Sequence, residues 1–207
     1  MHKKVLTKEM QEIYPTLSEF QDDFYLAGGT GLALLIGHRI SVDFDFFSDK
    51  PIKKTLLKKV EELFKKLPQQ IILNTGEELT IIIGNTKITF LHYPFKKILP
   101  LESKEGIYIM SAKEILASKA YSVGRRGVYK DYLDLYIGLN ENIASLSEII
   151  DIAKEKYLSA FNDRLFLEQL IYLDDIEEVE IVMIDRPLPT KKELKDFFSK
   201  KISEIKL

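Results

Sequence analysis

The chain has 207 residues, 45% hydrophobic and 30% charged, which is enough apolar material for a buried core and excludes a disordered or fibrous protein. The 30 Lys and Arg residues nearly balance 32 Asp and Glu, and the resulting formal charge of −2 excludes a globally basic nucleic-acid coat or a polybasic membrane binder. The sequence has no cysteine, which excludes a disulfide scaffold, a thiolate metal site and a cysteine nucleophile. The opening MHKKVLTKEMQEIYP lacks an apolar leader core, and no apolar run approaches the roughly 20 residues of a bilayer span, so a cytoplasmic monomer without a membrane partner is expected.

In chain order, residues 7–14 predict a short helix stopped by Pro15, with a further turn opened by Ser18 and Gln21. A short apolar strand over 24–27 runs into Gly28-Gly29-Thr30, followed by a two-turn helix over 31–38. Residues 41–48 alternate strictly, with Val42, Phe44 and Phe46 on one face and Ser41, Asp43, Asp45 and Phe47 on the other, which predicts a strand. Asp49, with Pro51 behind it, predicts the start of a helix running to Pro68. Strands are expected over 70–74, 79–83 and 87–93. Beyond about residue 100 the pattern becomes helical, with S/T-x-x-E capping boxes at Ser111/Glu114, Ser145/Glu148 and Thr190/Glu193. Helices are expected over 112–122, 127–139, 146–158, 162–173 and 191–205. This is an α+β chain: a mixed-sheet core over 1–100, then a helical region over 101–207 packed on that core, with the seam near Pro100.

The chemistry concentrates in YLAGGTGLALLIGHRISVDFDFFS. Asp is depleted in strands, yet Asp43 and Asp45 stand at i and i+2 on one face, their Cα atoms about 6–7 Å apart. Carboxylates that close repel unless they are solvated, protonated or bridged, and a hard divalent ion such as Mg²⁺ bridges them naturally. Upstream, the Gly28-Gly29-Thr30 turn can bring backbone N–H groups and the Thr30 hydroxyl to a phosphate at a helix N-terminus. Taken alone, Asp-x-Asp is the ordinary signature of a solvated strand face. In order with the glycine turn, within about twenty residues of a strand–helix–strand unit, it becomes the kit for metal-assisted phosphoryl or nucleotidyl transfer. A dinucleotide fold is excluded, because the third glycine position of G-x-G-x-x-G holds Leu34 and the helix is too short for a parallel crossover.

The stretch AGGTGLALLIGHRISVDFDFF, with twelve residues between Thr30 and Asp43, resembles the DNA polymerase β-like nucleotidyltransferase superfamily and, within it, the AbiEii group of abortive-infection toxins. Tyr93-Pro94-Phe95 and SAKEILASKAYSVGRRGVYKDYLDLY, from Ser111 to Tyr136, fit the same group's later motifs, so the resemblance covers about residues 22–140. It implies a mixed-sheet nucleotidyltransferase core with a helical C-terminal half, NTP and Mg²⁺ as ligands, and RNA (tRNA in some relatives) as acceptor. A cognate antitoxin is the implied partner. Asp43 and Asp45 are then metal ligands, Gly28, Gly29 and Thr30 bind phosphate, and Lys119 contacts the triphosphate.

Lys119 lies at +7 from Ala112 on an apolar stripe with Ile115 and Leu116, where a lysine either snorkels to the rim or meets phosphate charge in a cleft. The resemblance favours the second role and makes Lys130, Asp131 and Asp134 a support of the nucleotide site that orients Lys119 or Arg39. Without it, Lys130 and Asp134 are an i,i+4 surface pair. Arg39 is either a helix C-terminal cation or a partner of the triphosphate or Asp45. The chain departs from the superfamily at the third catalytic carboxylate, whose place falls on Thr89. Glu77 or Glu78 could substitute, the metal site could be weaker, or nucleotide binding could persist without catalysis. His92 alternates with Ile88 and Phe90 and is expected to be structural. The acidic tract 168–185 is expected to be a solvated helix end and loop, and the lysine-rich helix 191–205 to pack on the core.

Overall fold

The computed structural model describes residues 1–123, 125–176 and 179–205; Gly124 of the later motif and Glu177 and Glu178 of the acidic tract lie outside these. The chain divides into one unit of residues 1–96 and 100–110 and a second of 97–99 and 111–207.

In the first unit the Thr7 hydroxyl caps helix α1 (Lys8–Ile13), which gives way at Pro15 to a 3-10 helix over Tyr14–Phe20. Strand β1 (Tyr25–Leu26) leads into α2 (Gly28–Ile36), and α2 into β2 (Asp43–Ser48). Helix α2 starts three residues earlier than expected, so Gly28, Gly29 and Thr30 form its first turn instead of a loop before it. Helix α3 (Leu56–Leu63) is shorter than expected. The Ile52 N–H donates across the chain to the Gly76 carbonyl instead of entering a helical ladder, and Lys53 pairs with Asp23 at 2.6 Å.

Strands β3 (Gln69–Asn74), β4 (Glu78–Ile83) and β5 (Thr86–His92) follow, then β6 (Glu102–Lys104) and β7 (Ile107–Ile109). The last two form a hairpin inside the region expected to be helical. Its turn, Glu105-Gly106, has positive φ at both residues, the geometry that suits a right-handed strand twist. The seven strands run in the order β3-β4-β5-β2-β1-β7-β6, with β2 parallel to β5 and antiparallel to β1. The antiparallel β1–β2 pair explains how so short a helix can connect them. Phe20, Phe24, Phe46 and Phe90 cluster on the core face, with Phe46 stacked on Phe90 at 5.4 Å, which fixes the register of β2.

The second unit contains α4 (Ala112–Val123), α5 (Tyr129–Asn140), α6 (Leu146–Tyr157), α7 (Asp163–Ile171) and α8 (Lys191–Ser203). Capping boxes form at Ser145/Glu148 and Thr190/Glu193. At Ser111 only half a box forms. The Glu114 carboxylate turns inward, accepting from the amides of Ile98 and Leu99 at 3.1 and 2.9 Å and pairing with buried Lys156 at 2.7 Å. Helix α8 buries Leu194 and Phe198 and sets Phe197 against Tyr136 at 4.7 Å. Among the described residues no helix is long and apolar enough to cross a membrane.

Candidate active site

Strand β2 buries Phe44 and Phe46 and leaves Asp43 and Asp45 half-buried on its opposite face. The first turn of α2 meets this face. A Cβ at Gly28 would stand 2.5 Å from Asp45 Oδ2, and the Gly28 φ of +62° is one that L side chains rarely adopt. A Cβ at Gly29 would collide with the Arg39 guanidinium, which is buried and donates through Nη1 to the Ile40 carbonyl at 3.2 Å. The Ala27 N–H donates to the Asp45 carbonyl at 2.8 Å, which fixes the helix start to the carboxylate strand. The first N–H groups of any α-helix lack acceptors within it, and here they belong to Gly28, Gly29 and Thr30. Amide donors, a buried guanidinium and a carboxylate therefore converge at one helix end. The donors suit phosphate oxygens, and the carboxylate suits a hard cation.

The Thr30 hydroxyl is engaged within the first unit. It is buried, lies 2.6 Å from Ser41 Oγ and donates to the Asp43 carbonyl, tying α2 to β2 and leaving only the Thr30 amide for a phosphate. Ser41 enters the site as its partner, a role that its place on an alternating strand did not reveal.

Across the sheet, Asp45 is in register with Thr89 and Asp43 with Lys87, whose ammonium lies 3.2 Å from Asp43 Oδ2. On the far side Thr89 neighbours Thr80, which donates to Glu78 Oε1 at 2.6 Å. Glu77 is engaged by His92 Nδ1 at 2.5 Å. Among the described residues no three His, Cys, Asp or Glu side chains converge on a metal position. Asp43 and Asp45, two carboxylates on one strand face, are the side chains that would hold a Mg²⁺ ion here, and carboxylates with phosphate oxygens are the donor chemistry that ion takes. Lys87 was missed in the sequence, although its alternation with Thr89 places both on the Asp face.

In the second unit, α5 presents Asp131 and Asp134, three apart on one face, to Lys119 of α4. The Lys119 ammonium lies 2.6 Å from Asp131 Oδ1 and 2.9 Å from Asp134 Oδ2. Arg126 Nε donates to Asp131 Oδ2 at 3.2 Å, balancing two buried carboxylates with two cations. Asp134 is fully buried, so its pair with Lys119 replaces the expected surface pair with Lys130, which is half-buried on the same helix. Arg125 serves a structural end, lying over the Tyr121 ring at 3.6 Å and donating to the Ala160 carbonyl at 2.6 Å.

Residues 15–105 match the family model described as Nucleotidyl transferase AbiEii toxin, Type IV TA system. The resemblance to AbiEii nucleotidyltransferase toxins holds. It is carried by the AbiEii-like segment that contains the α2 turn, both aspartates and Thr89. An uncharacterised protein of Aquifex aeolicus (strain VF5) is 29% identical over 188 residues, 88% of each chain. The crystal structure of a nucleotidyltransferase candidate from Helicobacter pylori superposes with a TM-score of 0.62 at 17% identity, covering 96% of both chains. MenT4, a nucleotidyltransferase toxin from Mycobacterium tuberculosis H37Rv, superposes with a TM-score of 0.58 at 15% identity, covering 90% of this chain and 77% of its own. At these identities the solved structures establish the fold, that of a nucleotidyltransferase.

Proposed function

We propose that this AbiEii-like chain is a Mg²⁺-dependent nucleotidyltransferase of toxin type that transfers a nucleotide from an NTP to an acceptor hydroxyl, with RNA, tRNA included, as the acceptor class. The observation that carries the proposal is the junction of Gly28, Gly29 and Arg39 with the Asp43–Asp45 strand, where phosphate donors meet paired carboxylates. Asp43 and Asp45 are the residues to hold Mg²⁺, which when bound neutralises triphosphate charge and fixes its geometry. The amides of the α2 turn and Arg39 take phosphate oxygens. The acceptor oxygen then bonds to Pα as the Pα–O bond to the β-phosphate breaks and pyrophosphate leaves, and the hydroxyl proton passes to a carboxylate oxygen of the pair. The triphosphate role that the resemblance gives Lys119, with Lys130 in support, is part of this reading; within its own unit the Lys119 side chain is held by Asp131 and Asp134. A cognate antitoxin is the expected protein partner.

A second reading, a catalytically silent nucleotide-binding regulator, is favoured by Thr89 beside Asp45 and by the Lys87 ammonium on Asp43. The two separate when the protein is incubated with Mg²⁺, each α-labelled NTP and total cellular RNA, with NTP affinity measured in parallel. Label on RNA supports the enzyme. NTP binding without transfer to any acceptor supports the regulator.

A further inference from the structure

The sheet face that carries the two aspartates also carries a cation. Strand β2 lies between β1 and β5. On the β1 side the start of α2 closes on it: the Ala27 N–H donates to the Asp45 carbonyl at 2.8 Å, and the Thr30 hydroxyl to that of Asp43. On the β5 side Asp43 is in register with Lys87, whose ammonium stands 3.2 Å from Asp43 Oδ2. Beyond Lys87 the register continues to Ile82 of β4, which offers apolar surface and no charge. Within this row of the sheet, Asp43 is the acid that Lys87 meets.

A divalent ion shared by Asp43 and Asp45 needs the same carboxylate, and an ammonium a few ångströms away repels it. The Lys87 side chain is 45% exposed, so it is held there by a weak surface pair and has room to swing. A nucleotide seated at the α2 turn brings phosphate oxygens to the opposite flank of the same two carboxylates. Those oxygens carry more charge than a single carboxylate and are the stronger partner for an ammonium. Resting on the reading that this strand holds Mg²⁺ and an NTP, we propose that Lys87 is a nucleotide-binding residue that also gates the metal position. In the free protein its ammonium holds Asp43; when an NTP arrives it passes to a phosphate oxygen and gives Asp43 up. Metal and nucleotide binding are thereby coupled, each favouring the other.

Two equilibrium measurements on the full chain test this without turnover. One is Mn²⁺ binding without nucleotide, read by electron paramagnetic resonance. The other is binding of each α,β-methylene NTP, whose Pα–Pβ bridge resists transfer, in the presence of Mg²⁺. Lys87→Met keeps the stem and removes the charge. It is expected to tighten Mn²⁺ binding and to weaken nucleotide binding, each at least about threefold, with an unchanged unfolding midpoint. Lys87→Arg, which keeps the charge, is expected to stay close to wild type in both. An ordinary surface pair would shift neither affinity, and a cation that only crowds the metal would tighten Mn²⁺ and leave the nucleotide alone; either result overturns the proposal. Asp43→Asn separates this outcome from failure of the underlying reading. Mn²⁺ binding that is lost in Asp43→Asn but unchanged in Lys87→Met overturns only the role of Lys87. Mn²⁺ binding indifferent to Asp43→Asn removes the metal site and the proposal with it.

Discussion

Gly28 must lack a side chain because Asp45 occupies the space a Cβ would take. Gly28→Ala is therefore expected to displace the carboxylate and strain a positive φ, lowering transfer by at least about tenfold, the scale on which a misplaced catalytic group acts. Circular dichroism should show the fold retained; full activity in a folded variant would contradict the site. Thr89 is the complementary case, a neutral residue in register with Asp45. Thr89→Asp adds a third carboxylate and is expected to raise Mn²⁺ binding, read by electron paramagnetic resonance, above that of the wild type. Unchanged binding would mean that position 89 does not face the ion. At this scale the sequence was informative wherever alternation fixed the face: Asp43 and Asp45 follow directly from a period of two, whereas Thr89 was located through the resemblance. It was silent on hydroxyl partners, because whether Thr30 faces a phosphate or Ser41 depends on how α2 meets β2, a tertiary fact.

At the scale of elements, apolar periodicity located the helices, but buried charge hid inside them. Glu114 read as the acid of a capping box, yet it turns inward to Lys156 and to the amides of residues 98 and 99. The signal was present: Lys156 lies at +7 from Ile149 on the stripe that also holds Ala153, the same placement that singled out Lys119. Burial pushes the Lys156 ammonium below the ordinary lysine range, and Glu114 opposes that shift. Glu114→Gln leaves this ammonium without its counter-charge and is expected to cost about 3–5 kcal/mol in urea unfolding. Glu114→Leu combined with Lys156→Met should recover most of that loss; equal losses in both variants would show that the amide bonds, not the ion pair, dominate. The hairpin Glu102–Ile109 was illegible because three-residue strands carry too little alternation, and Glu-Gly is a weaker turn signal than Asn-Gly.

For the whole molecule, a net charge of −2 conceals separate populations: an acidic strand face, a cationic helix start with Arg39, and ion-paired helices. One such pair sets a pH response. The Lys113 ammonium, with the Ser145 amide behind it, holds Glu148 down from 4.5 to about 2. A carboxylate with a lowered folded pKa stabilises the protein above its unfolded value, and that contribution is lost as pH falls from 4.5 toward 2. Glu148 is half exposed, so the effect is about 1 kcal/mol or less. Glu148→Gln should flatten the fall in denaturation midpoint across that window, and an unaltered slope would assign it to other carboxylates.

The α+β class and the motif order were legible because they rest on local periodicity, whereas the division of the chain at 97–99 and 111 rests on long-range pairing through Met110 and Glu114. The central claim is nucleotidyl transfer at the Asp43–Asp45 strand. It is tested most directly by offering the protein α-labelled and γ-labelled NTP in parallel with Mg²⁺ and RNA, beside Asp45→Ala. The account predicts that the α label reaches RNA, that the γ label leaves with pyrophosphate, and that Asp45→Ala or chelation abolishes both. Transfer of the γ label to RNA, or α transfer undiminished in Asp45→Ala, would contradict it.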